Sequence, residues 1–132
     1  MPRPTTRKER WKESPDDHDY PAAEDYLSLV TSPAAAKALA RRLRSAPIMH
    51  RKAKDLLRAS CLPLLAQDNI HVAKDLKKVT QGRLLSPVLC VRGIVRLHIP
   101  LIVADGYHRI CAGYHLDEDA DIPCRIVDLS KA

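Results

Sequence analysis

Between Ile99 and Leu116 the hydrophobic period changes within two residues, and this break constrains the fold more than any other feature of the chain. Ile99-Pro100-Leu101-Ile102-Val103-Ala104 is a continuous apolar run, rich in branched residues, of the kind that forms a buried strand. Asp105-Gly106 interrupts it. From Tyr107 onward Ile110, Cys111 and Tyr114 recur at steps of three and four, the period of a helix with one buried face. A buried strand entering a helix through a single glycine turn requires a sheet covered by helices, so an α/β (α+β) architecture is expected.

The flanking segments agree with that reading. Pro87 to Arg92 reads as a second buried strand with Gly93 in the following turn, and Ile122 to Val127 reads as a closing strand. Earlier in the chain the period is helical. Helices are expected from Pro21, from Pro33 behind an Ser32 cap, from about His50 to Ser60, and after Gln67-Asp68-Asn69 with Gly82 as a left-handed end. Residues 1–18 combine proline, dense mixed charge and almost no aliphatic side chains, which reads as a flexible arm. The expected organisation is an arm over 1–18, a helical extension over 19–68 and a domain over 69–132, the last two forming one compact unit.

Charge is distributed in blocks. Formal charge is +4 over residues 1–12, −6 over 13–32, +7 over 33–60 and +1 over 61–132. The basic stretch 33–60, with Arg41, Arg42, Arg44, Lys52, Lys54 and Arg58, is a candidate for weak nucleic-acid contact, set against a solvated helix surface. With one Trp and no Phe, the chain has few platforms on which single-stranded bases could stack. Cys61, Cys90, Cys111 and Cys124 stand far apart with no Cys-x-x-Cys pair, and read as thiols of a reducing compartment. The apolar stretches are far too short to cross a bilayer, and the basic N-terminus is not followed by a hydrophobic signal region, so a cytoplasmic protein without a membrane partner is expected.

The chemistry concentrates at the turn. A strand running directly into a helix leaves the first backbone N–H groups of the helix without intrahelical partners, pointing into the space beyond the strand. Gly106 permits close backbone approach there, Arg109 supplies a planar fork suited to phosphate oxygens, and His108 adds a pH-dependent donor. Asp105 opposes an anion, so its roles are proton acceptor, ligand of a divalent cation such as Mg²⁺, or helix cap. The alternative is structural: Asp105 caps and Arg109 pairs with the acidic loop Asp117-Glu118-Asp119-Ala120-Asp121. That loop lacks the glycine and terminal glutamate of a calcium loop and reads as a solvated turn. His50, His71, His98 and His115 are isolated in sequence, although His115 follows His108 by two helical turns.

At these residues the chain resembles the ParB/sulfiredoxin superfamily over about residues 70–128. Gly106-x-x-Arg109-x-x-Ala112 is similar to the core of the ParB nucleotide box, and Gly106-x-His108-Arg109 resembles the corresponding turn of sulfiredoxins. Leu84 to Arg92 and Ile122-Pro123-Cys124-Arg125-Ile126-Val127 resemble the strands that flank it. The resemblance implies a small sheet flanked by helices and a nucleoside triphosphate, ATP or CTP with Mg²⁺, whose phosphates meet Gly106, Tyr107, His108 and Arg109. Tyr107 stands where sulfiredoxins carry their catalytic cysteine, so sulfinic acid reduction is not expected. Two classes remain open: a nucleotide-dependent phosphotransferase or hydrolase using Asp105, and a non-catalytic nucleotide-sensing or DNA-associated adaptor, either of which could form a homodimer.

Overall fold

The structure is a computed structural model and describes residues 10–129. Helices α1 (Asp19–Val30) and α2 (Pro33–Ser45) come first, followed by strand β1 (Met49–Lys52), α3 (Ala53–Ser60) and α4 (Ile70–Thr80). Strand β2 (Val88–Arg92), a short 3-10 turn, β3 (Ile102–Asp105), α5 (Tyr107–Leu116) and β4 (Asp121–Asp128) complete the fold. It is an α+β protein with a four-stranded mixed sheet in the order β1-β4-β2-β3. β4 runs parallel to β2 and antiparallel to β1, and β3 pairs antiparallel with β2 along one edge.

Alternation along the strands assigns the two faces. Val88 and Cys90, with Val103, Ile122 and Cys124, join residues of α3, α4 and α5 in one core. Leu89 and Val91, with Ile102, Ala104 and Val127, join α1 and α2 in the other. The strands are therefore apolar on both sides, as their uninterrupted runs suggest. Cys90, Cys111 and Cys124 are buried free thiols and Cys61 is exposed. Among the described residues no helix is long and apolar enough to cross a membrane.

Local chemistry fixes the helix ends. Ser32 Oγ accepts from Ala35 N at 3.1 Å, with Pro33 in the first turn. Asn69 Oδ1 accepts from His71 N and Val72 N, while Gly82 at φ +75° lets Arg83 N return to Lys78 O at 2.8 Å.

The structure departs from the sequence reading in two places. The expected helix from His50 begins only at Ala53; Met49–Lys52 instead pairs with Asp121–Cys124 as an edge strand. The expected arm over 1–18 is packed from Arg10 onward, while residues 1–9 lie outside the described residues. Trp11 is 5% exposed and is bracketed by Lys12 N to Leu85 O and Leu85 N to Arg10 O bonds of 2.8 and 2.7 Å. An indole is large enough to anchor a short polar segment whose other buried residue before α1 is Pro15.

Candidate functional site

The end of edge strand β3 is where the two helical layers meet, and a cleft of about 460 Å³ opens there. Its walls are the exposed side of α4, the first turn of α5, the 83–86 segment and the N-terminal segment around Asp16. Gly106, His108, Arg109 and Asp105, all named from the sequence, line it together. Lys12, Lys74, Lys78 and Arg83 join Arg109 as cations, against the carboxylates of Asp16, Asp75 and Asp105.

Arg109 is the most constrained of these side chains. Its Nη2 donates to Asp105 Oδ2 at 2.8 Å, its Nη1 donates to Ser86 Oγ at 2.5 Å, and Asp19 Oδ1 lies 3.6 Å from Nη1. Its Nε is buried without a partner. Asp19 is 2% exposed and also accepts from Asp16 N at 3.0 Å. Two carboxylates thus share one guanidinium. Burial pushes the Asp105 carboxyl above its ordinary range, Arg109 opposes that rise, and the Asp19 carboxylate adds to it.

The opposite wall carries a second titratable group. Asp75 faces the cleft from α4, and its carboxyl is raised by burial against the opposing charges of Lys78, Arg109 and His108. The His71 and His108 rings are in contact, with centroids 4.6 Å apart. Burial, with the neighbouring His71, lowers the pKa of His108, favouring its neutral imidazole. Asp16 is bound by Lys12 at 2.7 Å, and that bond holds its carboxyl low.

Gly106 has a structural reason to be glycine. It caps α5 at φ +111°, and a Cβ there would lie 2.4 Å from Val88 Cγ1 and 2.8 Å from Arg109 Nη2. Asp105 does not cap the helix: its carboxylate is directed to Arg109. Nor does Arg109 pair with the acidic loop, which meets Lys54 at 2.7 Å and Lys52 at 3.8 Å through Asp119.

No protein-family model, curated protein or solved structure matches the chain. The ParB/sulfiredoxin likeness is therefore one of short motifs alone.

Two sequence candidates lie away from the cleft. Tyr107 is turned about 100° around the helix from His108, and its hydroxyl donates to Pro63 O at 2.5 Å. His115 shares the angular position of His108 but sits about 10 Å further along the axis, where Nε2 meets Leu65 O at 2.7 Å. The basic stretch is also divided. Arg41, Arg42 and Arg44 belong to α2 in one helical layer, whereas Lys54 and Arg58 belong to α3 in the other, with the sheet between them. Among the described residues the one group with three candidate metal ligands in reach of each other is Asp16, His18 and Asp19, within 4.8 Å; it does not include Asp105.

Asp75, Lys74, Lys78, Arg83, Ser86, Asp16 and Asp19 are site residues that the sequence reading missed. A signal existed for the α4 group. His71, Lys74, Asp75 and Lys78 are spaced i, i+3, i+4, i+7, which puts four ionisable groups on one helix face.

Proposed function

We propose that this protein binds the phosphate groups of a small ligand in the cleft between α4 and the start of α5. The observation that carries the reading is a fixed guanidinium, Arg109, facing Lys74, Lys78 and Arg83, none of which forms an ion pair among the described residues. Unpaired cations gathered around a helix N-terminus attract an anion, and phosphate oxygens suit both the fork of Arg109 and the backbone N–H groups. A nucleoside triphosphate is the ligand that the motif likeness implies. Asp75 and Asp105 repel any anion there, and the repulsion is relieved to the extent that burial, which raises both carboxyls, keeps them protonated.

The test is a titration of backbone amide NMR signals with ATP, CTP, GTP and inorganic phosphate, with and without magnesium. Shifts concentrated at Gly106 to Arg109 and along α4 are expected, together with thermal stabilisation worth about 2.7 kcal/mol at a hundredfold excess over Kd. Unchanged spectra with every one of these ligands would remove the assignment.

Turnover is a second reading, favoured by two carboxyls held above their usual range beside the phosphate position. Either could accept the proton of an attacking water or hydroxyl as its oxygen bonds to phosphorus and the bridging P–O bond breaks, its electron pair leaving with the shortened phosphate chain. Asp105 is already committed to Arg109, so in this reading Asp75 accepts the proton and Asp105 orients the guanidinium. Phosphate release abolished by Asp75→Asn but only reduced by Asp105→Asn is the expected pattern; equal turnover in both variants and the natural protein would sink it.

A further inference from the structure

We infer that the cleft recognises a run of phosphoryl groups and has no subsite for a nucleobase, so that its ligand class is a compact di- or triphosphate. The inference rests on the phosphate-binding reading above and narrows it. Lys74 and Lys78 are one helical turn apart, with roughly 5–6 Å between Cβ atoms. Like charges at that spacing repel and weaken an isolated helix. Here both face the same cleft, and neither forms a salt bridge among the described residues, although Asp75 on the same helix feels the charge of Lys78. Arg83 stands beyond the end of the same helix and lines the same space. Together these three cations set several positive charges around one space, which a linear polyphosphate neutralises better than a single phosphate does, since each added phosphoryl group brings its own charge.

A nucleobase needs the opposite surroundings: a planar or apolar slot with a few hydrogen-bonding groups. Among the described residues the cleft offers only Leu84 and Leu85 as apolar lining, and Leu85 is 2% exposed because it is spent on the core with Trp11. Among the described residues no Trp, Tyr or Phe lines it, and the rings of His71 and His108 are in contact with one another. The molecule does have an apolar groove, of about 440 Å³, between α3 and the 93–101 segment. It shares no lining residue with the cleft, so a ligand anchored by Arg83 and Lys78 does not place a base there.

Calorimetric titration of the full chain at fixed ionic strength tests this, using pyrophosphate, tripolyphosphate, ATP, CTP and adenosine as probes. Tripolyphosphate should bind within about threefold of ATP and CTP, adenosine should not bind, and Lys78→Gln should weaken all the anions together by about tenfold or more. ATP or CTP binding at least about tenfold tighter than tripolyphosphate, and still weakened by Lys78→Gln, would overturn the missing base subsite while leaving the phosphate site in place. Absence of binding by every anion, or binding indifferent to Lys78→Gln, would overturn both.

Discussion

Gly106→Ala separates a glycine kept for ligand approach from a glycine kept for packing. At φ +111° an alanine occupies backbone space that costs about 1–2 kcal/mol for a residue with a side chain. The added methyl would also lie 2.4 Å from Val88 Cγ1 and 2.7 Å from Val88 Cβ, in a side chain that is fully buried. Overlap of that kind in a packed core costs about 1–3 kcal/mol after relaxation. The remaining close contact, 2.8 Å to Arg109 Nη2, can be relieved only by moving a guanidinium held by Asp105 and Ser86. Together these give a loss of about 2–5 kcal/mol. With an unfolding entropy of about 2.1 cal/mol/K per residue, the melting temperature should fall by roughly 7–18 °C. Differential scanning calorimetry of the unliganded protein measures it directly. A variant that melts within about 2 °C of the natural protein yet fails to bind phosphate would refute the packing argument and return Gly106 to the ligand alone.

Three further outcomes follow from the same geometry. Arg109→Ala strips the guanidinium from two largely buried carboxylates and should cost about 3 kcal/mol in urea denaturation even without ligand; a loss under about 1 kcal/mol would show that Asp19 and Asp105 do not depend on it. Asp75→Asn should stabilise the protein at pH 7: the folded-state pKa is raised, so stability falls as pH rises from the ordinary carboxyl value of 3.8 through the raised one. Its advantage should vanish on acidification, and an advantage independent of pH would contradict this. Trp11→Ala should cost about 3–5 kcal/mol, and in the natural protein the lone tryptophan should fluoresce blue-shifted until the chain unfolds; solvent-like emission from the native state would place the segment outside the core.

Elements whose pattern was set by burial were legible in the sequence. The strand into Asp105, helix Tyr107–Leu116 and the strand after the acidic loop follow directly from runs of apolar residues and their period. β1 was not legible. Met49-His50-Arg51-Lys52 has no alternation and a helix-compatible composition, and its strand conformation comes from pairing with Asp121–Cys124, a partner seventy residues away. Trp11 was hidden for a related reason, since one large side chain among charges carries no period. At the cleft, the motif named Arg109, His108, Gly106 and Asp105 because they lie within five residues at one strand-to-helix turn. It could not supply the α4 wall, where lysines on an amphipathic helix look the same whether they face solvent or a ligand. Tyr107 was misplaced because adjacency in sequence is a rotation of about 100° on a helix.

The position of the cleft ties its electrostatics to the stability of the whole chain. Asp19 opens α1 on one face of the sheet and Arg109 sits in α5 on the other, so their 3.6 Å contact passes around the end of β3 and joins the two helical layers. Asp105, the last residue of β3, holds the same guanidinium from the strand. A phosphate arriving beside Arg109 competes with these carboxylates for its donors and is repelled by both. The conflict is eased if the Asp105 carboxyl carries a proton, and its burial together with the nearby Asp19 charge favours that state. Anion binding should therefore draw in protons, and affinity should strengthen as the pH falls from neutral toward the carboxyl range. An anion bound as proposed would bridge α4 to α5 through Lys78 and Arg109, adding a link between elements of one layer where the Asp19 contact joins the two.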